Sequence, residues 1–338
     1  MTLLLTGGCG FIGSEIVRQA VNQGRSVVNI DSLTYAANQN NLNSINHLDN
    51  YEFKHIDICD RLSLEKVFSQ HQPSSVIHCA AESHVDRSIN SPGEFINTNV
   101  IGTFNLLEIA KKYECKFLHI STDEVYGDLQ EKDPAFTEES LIAPSSPYSA
   151  SKAASDHLVR AWGKTYNLPF LITNCSNNYG PYQFPEKLIP VVILACMQER
   201  KIPIYGKGDN IRDWLFVSDH VKAILEVLDK GVVGETYNIG GGNELKNIQI
   251  VKMICEIMDE NYPRSNGNYS DLISFVTDRK GHDRRYAVNA SKIRNKLGWK
   301  PTVSIKQGLK ITVDWYVNNR EWWVPIQIGN DSSKKKIN

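Results

Sequence analysis

Thr2-Leu3-Leu4-Leu5-Thr6-Gly7-Gly8-Cys9-Gly10-Phe11-Ile12-Gly13-Ser14 is the stretch that decides the fold. The apolar run from Thr2 to Thr6 has the length of a buried parallel strand. Glycines at 7, 10 and 13 follow it directly and open a helix reaching Gln23. That spacing permits a tight turn, close approach of a phosphate to backbone N–H groups and close helix–strand packing, the requirements of a dinucleotide pyrophosphate. Gly24 ends the helix, and Ser26 to Asp31 reads as the second strand. A carboxylate at that strand's end suits a ribose 2′-hydroxyl and repels a 2′-phosphate. A glycine cluster alone is a weak signal; in register with strand, helix and Asp31 it is a strong one.

Outward from this stretch, strands and helices alternate. Residues 32–50 are polar and rich in asparagine, which suits a loop with short helical pieces over the adenosine end of a cofactor. Tyr51 to Ile56 reads as a third strand ending in Asp57-Ile58, then 61–70 as a helix. Ser75 to Ala81 reads as a fourth strand, closing on small residues that let the backbone approach a flat ring. A helix over 94–113 carries Asn97, Thr98 and Asn99 near its start. Phe117 to Thr122, a helix from Tyr148 to Tyr166, and Phe170 to Asn174 continue the pattern. Such alternation specifies an α/β fold, a Rossmann-type doubly wound parallel sheet with a smaller mixed α/β C-terminal lobe. The expected divisions are 1–175, with 215–242 returning to it, for the dinucleotide domain, and 176–214 with 243–328 for the second lobe. A last helix is expected over 304–319, and 329–338 reads as a lysine-rich flexible tail.

With 338 residues, 41% hydrophobic, and a formal net charge of −1, the chain has no global attraction to nucleic acid or to anionic membranes. Seven scattered cysteines without a Cys-x-x-Cys read as reduced core residues, and no metal is expected. No apolar run approaches the ~20 residues that span a bilayer. The chain opens directly on a strand with no secretory signal, so a cytoplasmic location is the expectation.

The chemistry concentrates in Phe117-Leu118-His119-Ile120-Ser121-Thr122-Asp123-Glu124-Val125-Tyr126-Gly127. An apolar strand ends in two hydroxyls and two carboxylates, where open α/β sheets place ligands. Successive strand residues face opposite sides. Asp123 and Glu124 can share a cleft only if the chain leaves strand geometry there, and Gly127 suits such a turn. Neighbouring carboxylates in a cleft repel, so one keeps a proton while the other ionises. A solvated acidic loop is the ordinary meaning of an isolated Thr-Asp-Glu. Tyr148 and Lys152 stand four apart on one helical face, so the ammonium can favour the phenolate. Residues 175–190, dense in amides, aromatics and prolines, suit an ordered binding loop. Ile202 to Gly206 and Asn210 to Trp214 can supply a wall for a base and an arginine for phosphate. Residues 278–286 hold five potentially positive side chains that could grip a pyrophosphate, or form a solvated basic loop. His84 suits a pocket wall better than a catalytic imidazole. Gly240-Gly241-Gly242 lacks the spacing of a second dinucleotide loop.

With these residues in place the chain resembles the extended short-chain dehydrogenase/reductases, and within them the dTDP-glucose 4,6-dehydratase family. The matching stretches are Ala80–Ile89, Ser121–Gly127, Pro147–Lys152, Asn174–Pro190, Asn210–Trp214 and 278–286, which span nearly the whole chain. The Thr-Asp-Glu of Ser121–Gly127 separates this family from its epimerase relatives. Ala37 stands where a glycine is usual and Lys280 where a proline is usual, the latter adding charge to a loop expected to contact substrate.

The resemblance implies NAD held by Gly7, Gly10, Phe11, Ile12, Gly13, Asp31, Ser32, Leu33, Thr34, Asp57, Ile58, Cys79, Ala80, Ala81, Ser83, Thr98, Tyr148, Lys152 and Asn178. It implies dTDP-glucose held by Ser83, His84, Thr122, Asn177, Glu186, Lys187, Leu188, Pro203, Ile204, Tyr205, Arg212, Asn247, Asp278, Arg279, His282 and Tyr286. The implied reaction oxidises C4, with Tyr148 taking the hydroxyl proton aided by Thr122 and Lys152. Glu124 then removes the C5 proton while Asp123 protonates the departing 6-hydroxyl, and hydride returns to C6. The resemblance further implies a homodimer through the 94–113 and 148–166 helices, with Phe95, Phe104, Leu158 and Trp162 offering apolar surface. A nucleotide-sugar 4-epimerase would share the cofactor, Tyr148 and Lys152 but has no need of adjacent Asp123 and Glu124. A non-catalytic nucleotide sensor need not keep Thr122, Tyr148 and Lys152 together. Thymidine against uridine stays open, and with it a UDP-glucose 4,6-dehydratase.

Overall fold

The computed structural model describes residues 2–278 and 282–335. Arg279, Lys280 and Gly281 of the basic loop lie outside the described residues, and so do the expectations resting on them. In chain order the strands are β1 (Thr2–Thr6), β2 (Ser26–Asp31), β3 (Tyr51–His55), β4 (Ser75–His78), β5 (Lys116–Thr122), β6 (Phe170–Cys175) and β7 (Asn177–Tyr179). They continue with β8 (Ile202–Tyr205), β9 (Ile211–Phe216), β10 (Thr236–Ile239), β11 (Glu244–Lys246) and β12 (Ile273–Val276).

Seven of these form one sheet in the order β10-β6-β5-β4-β1-β2-β3, with every pairing parallel. From β1 the chain runs outward through β2 and β3, then returns to β4 on the other flank. The carboxyl ends of β1 and β4 therefore bound the crevice where doubly wound sheets bind ligands. Alternation along β1 divides the core. Leu4 packs with Val28, Ile30, Val76, Phe117 and Ile172 on one face, while Leu3 and Leu5 pack with Ile16, Val17, Leu118 and Leu171 on the other. Burial on both faces explains why these strands read as continuous apolar runs.

A second core joins Tyr179, Ile193, Ile202, Ile204, Trp214, Ile254, Leu309 and Tyr316. Around it stand the helices Leu188–Met197, Asn247–Asn261 and Ile305–Asn318. β9 carries β7 on one side and β11 on the other, and β8 pairs with β12. The helix Val217–Lys230 and β10 return to the large sheet, as do Ala290, Ile293 and Trp299 from the later part of the chain.

Two elements differ from their sequence readings. The 94–113 helix is continuous but changes winding: Pro92–Phe95 is α-helical, Ile96–Gly102 is π-helical, and Thr103–Lys112 is α-helical again. The chain also adds a helix where none was expected, and that helix runs into the stretch 329–338 expected as a tail. This helix, Arg320–Lys335, has Pro325 inside it and buries Trp322 and Trp323. Trp322 Nε1 donates to Asn41 Oδ1 at 2.7 Å, fastening this helix to the loop beyond β2. No helix among the described residues is long and apolar enough to cross a membrane.

Candidate active site

The turn after β1 fits a dinucleotide. Gly7 has φ +76°, and a Cβ there would lie 2.7 Å from the backbone of Ala80. A Cβ on Gly13 would lie 2.0 Å from the Gly7 carbonyl oxygen. Gly8 N–H donates to Asn29 Oδ1 at 3.0 Å, tying the turn to β2. The helix Phe11–Asn22 begins at Gly10 with no side-chain cap. Its first N–H groups and positive dipole end therefore suit a pyrophosphate. Asp31 is buried, and its carboxylate accepts from Cys9 N–H at 2.9 Å and Leu33 N–H at 2.8 Å. Burial raises its proton affinity while these two backbone donors lower it. Ala37 is absent from the residues with positive φ, so alanine serves where a glycine is usual.

At the carboxyl end of β5 the chain turns at once into a 3₁₀ turn, Asp123–Tyr126. Gly127 closes it at φ +94°, where a Cβ would lie 2.4 Å from the Ala143 carbonyl oxygen. This is the departure from strand geometry that two adjacent, inward carboxylates require. Asp123 is 2% exposed and Glu124 half-buried. Burial pushes the Asp123 carboxyl well above its usual range, and the charges of Glu124 and Asp213 push the same way. Its Oδ1 accepts from the Thr122 hydroxyl at 3.3 Å, while Oδ2 is buried without a hydrogen-bond partner among the described residues.

Tyr148 and Lys152 lie on the helix Pro147–Tyr166, which starts at a reciprocal Ser146–Ser149 capping box. The Tyr148 ring packs edge-on against Phe95. Burial pushes its phenol well up, Glu124 adds to this, and a hydrogen bond with the Thr122 hydroxyl opposes it. Thr122 thus links the phenol to the acidic pair. Lys152 Nζ donates to the Ile120 carbonyl at 2.8 Å and lies 3.3 Å from His119 Nε2. Asn99, within the π-helical segment, donates to the Glu82 carbonyl and to Ser151 Oγ, holding the end of β4 to this helix.

The predicted substrate residues divide. Asn177 and Asn247, like Asn178 expected at the cofactor, each carry a buried Oδ1 without a hydrogen-bond partner among the described residues. Lys187 Nζ reaches the Ser83 carbonyl, and Glu186 receives Tyr35 Oη at 3.0 Å and lies 3.5 Å from His84 Nε2. A cavity of ≈ 460 Å³ is lined by Lys207, Asp209, Asn210, Lys246, Asp278, His282 and Arg284, among others. On β8, Pro203 and Tyr205 face outward, but Ile204 is 2% exposed and belongs to the second core, so its side chain is structural. The positive side chains of the basic loop that are among the described residues have partners within the protein. Arg285 holds both carboxylate oxygens of Glu244, Arg284 pairs with Glu131, and His282 lies 2.7 Å from Asp278. Arg212 donates to the carbonyls of Ile211 and Asp283, and its guanidinium lies over the Tyr286 ring.

Sequence reasoning missed Asp213, which burial pushes up and which receives Asn243 N–H at 2.7 Å beside Asp123. Only the pairing of β9 brings it there. It also missed Asp156, whose signal was present as a third member of the Tyr148, Lys152 series at helical spacing.

Residues 4–312 match the family described as GDP-mannose 4,6 dehydratase. The chain is 52% identical over 357 residues to the dTDP-glucose 4,6-dehydratase of Escherichia coli, with 99% of each covered. It resembles the dTDP-glucose 4,6-dehydratase of Bacillus anthracis solved in complex with NAD, at TM-score 0.88 and 46% identity, covering 96% of this chain and 99% of that one. It also resembles the Streptomyces venezuelae enzyme of the same name solved with NAD and TYD bound, at TM-score 0.91 and 43% identity, over 96% and 100% of the two chains.

Proposed function

The chain belongs to the dTDP-glucose 4,6-dehydratase family, and we propose that Thr122, Asp123, Glu124, Tyr148 and Lys152 carry that activity in it. The product is the 4-keto-6-deoxy sugar nucleotide plus water. When bound, NAD supplies a hydride acceptor for C4 and a donor for C6. Gly7, Gly10 and Gly13 with the uncapped helix start hold its pyrophosphate, and Asp31 its ribose.

Tyr148 Oη takes the proton of the 4-hydroxyl. The raised phenol holds its own proton tightly, so it acts as a base only with cationic help, which Lys152 gives one helical turn away. Thr122 Oγ1 orients the phenol. The ketone at C4 acidifies C5–H, and Glu124 removes that proton. Hydroxide is a poor leaving group, so Asp123, kept protonated by burial and by Glu124, donates to the 6-hydroxyl as it departs. Glu124 returns its proton to C5, and the proton that Tyr148 took from the 4-hydroxyl replaces the one Asp123 gave to the departing water, so that all three groups recover their starting states. The observation that carries this reading is the sealed, proton-retaining Asp123 beside half-buried Glu124, joined through Thr122 to Tyr148. The cavity near Asp278 and His282 takes the nucleotide, with Lys207 on its wall to meet the phosphates and Lys246 beside it, 3.6 Å from Asp209.

Incubation of the purified protein with dTDP-glucose and with UDP-glucose tests the reading by mass. Loss of one water from dTDP-glucose is expected. An epimer of unchanged mass contradicts it, and water loss from UDP-glucose alone reassigns the base.

The protein works as a cytoplasmic homodimer. All seven cysteines are free, which suits a reducing compartment. Of the four apolar residues expected at the contact, Phe95 is fully buried, while Phe104, Leu158 and Trp162 keep part of their surface exposed. Ile89, Ile96 and Ile101, 51%, 50% and 45% exposed, add apolar surface on and beside the 94–113 helix. Light scattering at micromolar concentration is expected to give twice the chain mass; a stable monomer contradicts it.

A further inference from the structure

Beneath the acidic pair lies a buried polar layer that the steps above do not use. Asp156 is 1% exposed on the helix Pro147–Tyr166, one turn beyond Lys152 and two beyond Tyr148, so the three share a face. Its Oδ2 accepts from Ser121 Oγ at 2.9 Å and from Asn174 Nδ2 at 3.4 Å. These two donors fix the carboxylate against the ends of β5 and β6. Its Oδ1 lies 3.3 Å from His119 Nε2, and the same nitrogen lies 3.3 Å from Lys152 Nζ. One imidazole nitrogen therefore stands between an ammonium and a carboxylate.

We propose that Asp156 is a positioning residue for Lys152: across His119 it keeps the ammonium charged and aimed in a site too dry to hold a lone cation. This rests on Lys152 serving Tyr148 in the reaction proposed above.

An isolated ammonium in apolar surroundings gives up its proton. Burial pushes Lys152 down, and Asp156 leads the influences that oppose it. The other titratable groups around the ammonium cannot replace that charge. Cys79, beyond β4, is pushed up to about 12 by burial, and Cys175, ending β6, is pushed up by the same cause, so both are neutral thiols near neutral pH. Burial pushes Tyr148 up as well, and its phenol ionises only with the help of the Lys152 ammonium, so its charge follows that of Lys152 and does not set it. His78 on β4 and His119 on β5 are pushed down, again first by burial, so neither brings a competing positive charge. The neutral His119 ring spans the two charges without cancelling either. Ser121, one of the two hydroxyl residues ending β5, serves this lower layer, while Thr122 serves the phenol.

The test is the pH at which Lys152 loses its charge, read by NMR from isotope-labelled lysine Cε in the full chain with its cofactor. The resonance is assigned with Lys152→Met. In the wild type the midpoint is expected below that of an ordinary lysine yet on the alkaline side of neutrality. Asp156→Asn keeps the shape and removes the charge. Because the charged lysine is lost as pH rises through its pKa, the midpoint is expected to fall by about one pH unit or more, a tenfold loss of proton affinity. The alkaline limb of kcat should move down with it. Ser121→Ala keeps the carboxylate and should leave midpoint and limb in place while lowering Tm. An unmoved midpoint in Asp156→Asn, with kcat reduced evenly across pH, makes Asp156 a strut and overturns the proposal. Should that variant not fold, a wild-type midpoint below neutrality overturns it alone. Failure of the wild type to release water from dTDP-glucose sinks the functional reading instead, and the titration still reports on the ion pair.

Discussion

The turn after β5 and the loop over 282–286 look alike in the sequence, each crowded with ionisable groups, yet the fold treats them in opposite ways. In the loop, Arg285 lays its guanidinium across Glu244 at 2.6 and 3.1 Å and also donates to the Asp133 carbonyl. Arg284 meets Glu131, and the Tyr286 hydroxyl meets Asp283. In the turn, Asp123 is sealed from solvent with one carboxylate oxygen lacking a partner among the described residues, beside a second carboxylate. Charges that serve structure find their partners during folding, whereas a buried group left without one signals a partner that arrives later. Charge density alone does not distinguish the two.

Substitutions sharpen this contrast. Tyr148→Phe removes the base at C4, so substrate should produce almost no reduced nicotinamide absorbance and no product. The expected loss in rate is about a thousandfold, within the range of acid–base catalysis; a loss under about tenfold breaks the assignment. Asp123→Asn should slow water release by about a hundredfold, while exchange of C5–H with solvent deuterium, followed by mass, persists because Glu124 remains.

The same substitution should stabilise the fold at higher pH. Asp123 has a folded-state pKa raised above its ordinary value. Its stabilising share is complete below about 4 and is lost as pH rises through the raised value. Asparagine has nothing to ionise, so the Tm advantage of Asp123→Asn should grow with pH across that window. A constant or negative difference contradicts a proton-retaining Asp123. The smallest effect belongs to the loop. Arg285→Ala should cost about 1–2 kcal/mol in denaturant unfolding yet leave the single-turnover rate of water release near wild type. A large fall in that rate with unchanged stability reverses the roles of the two regions.

Much of the sheet was legible because its signals are local. β1, the three glycines and Asp31 lie within one strand–turn–helix–strand unit, and β5 announces its end by passing from Ile120 to Ser121 and Thr122. What depends on distant partners was less legible. Arg285 read as one of five positive side chains that could grip a pyrophosphate or form a solvated basic loop, because its partner Glu244 is far away in the chain. Ile204 read as a substrate contact, but the alternation of β8 turns it into the second core. Phe95 read as spare surface although Tyr148 covers it. The helix Arg320–Lys335 was not among the expected elements, because what holds it in place is the burial of Trp322 and Trp323 against the second core. Asp213 reaches Asp123 only through strand pairing.

Glu124→Gln tests the central claim most directly. Glutamine keeps the size and hydrogen bonding of Glu124 but cannot accept the C5 proton, while Tyr148 and Lys152 are untouched. In a single turnover with dTDP-glucose, reduced nicotinamide absorbance should rise as in the wild type and then persist, with water release slowed at least about a hundredfold and no deuterium entering at C5. Water release at the wild-type rate, or deuterium uptake at C5 in this variant, would show that the base lies elsewhere and contradict the account.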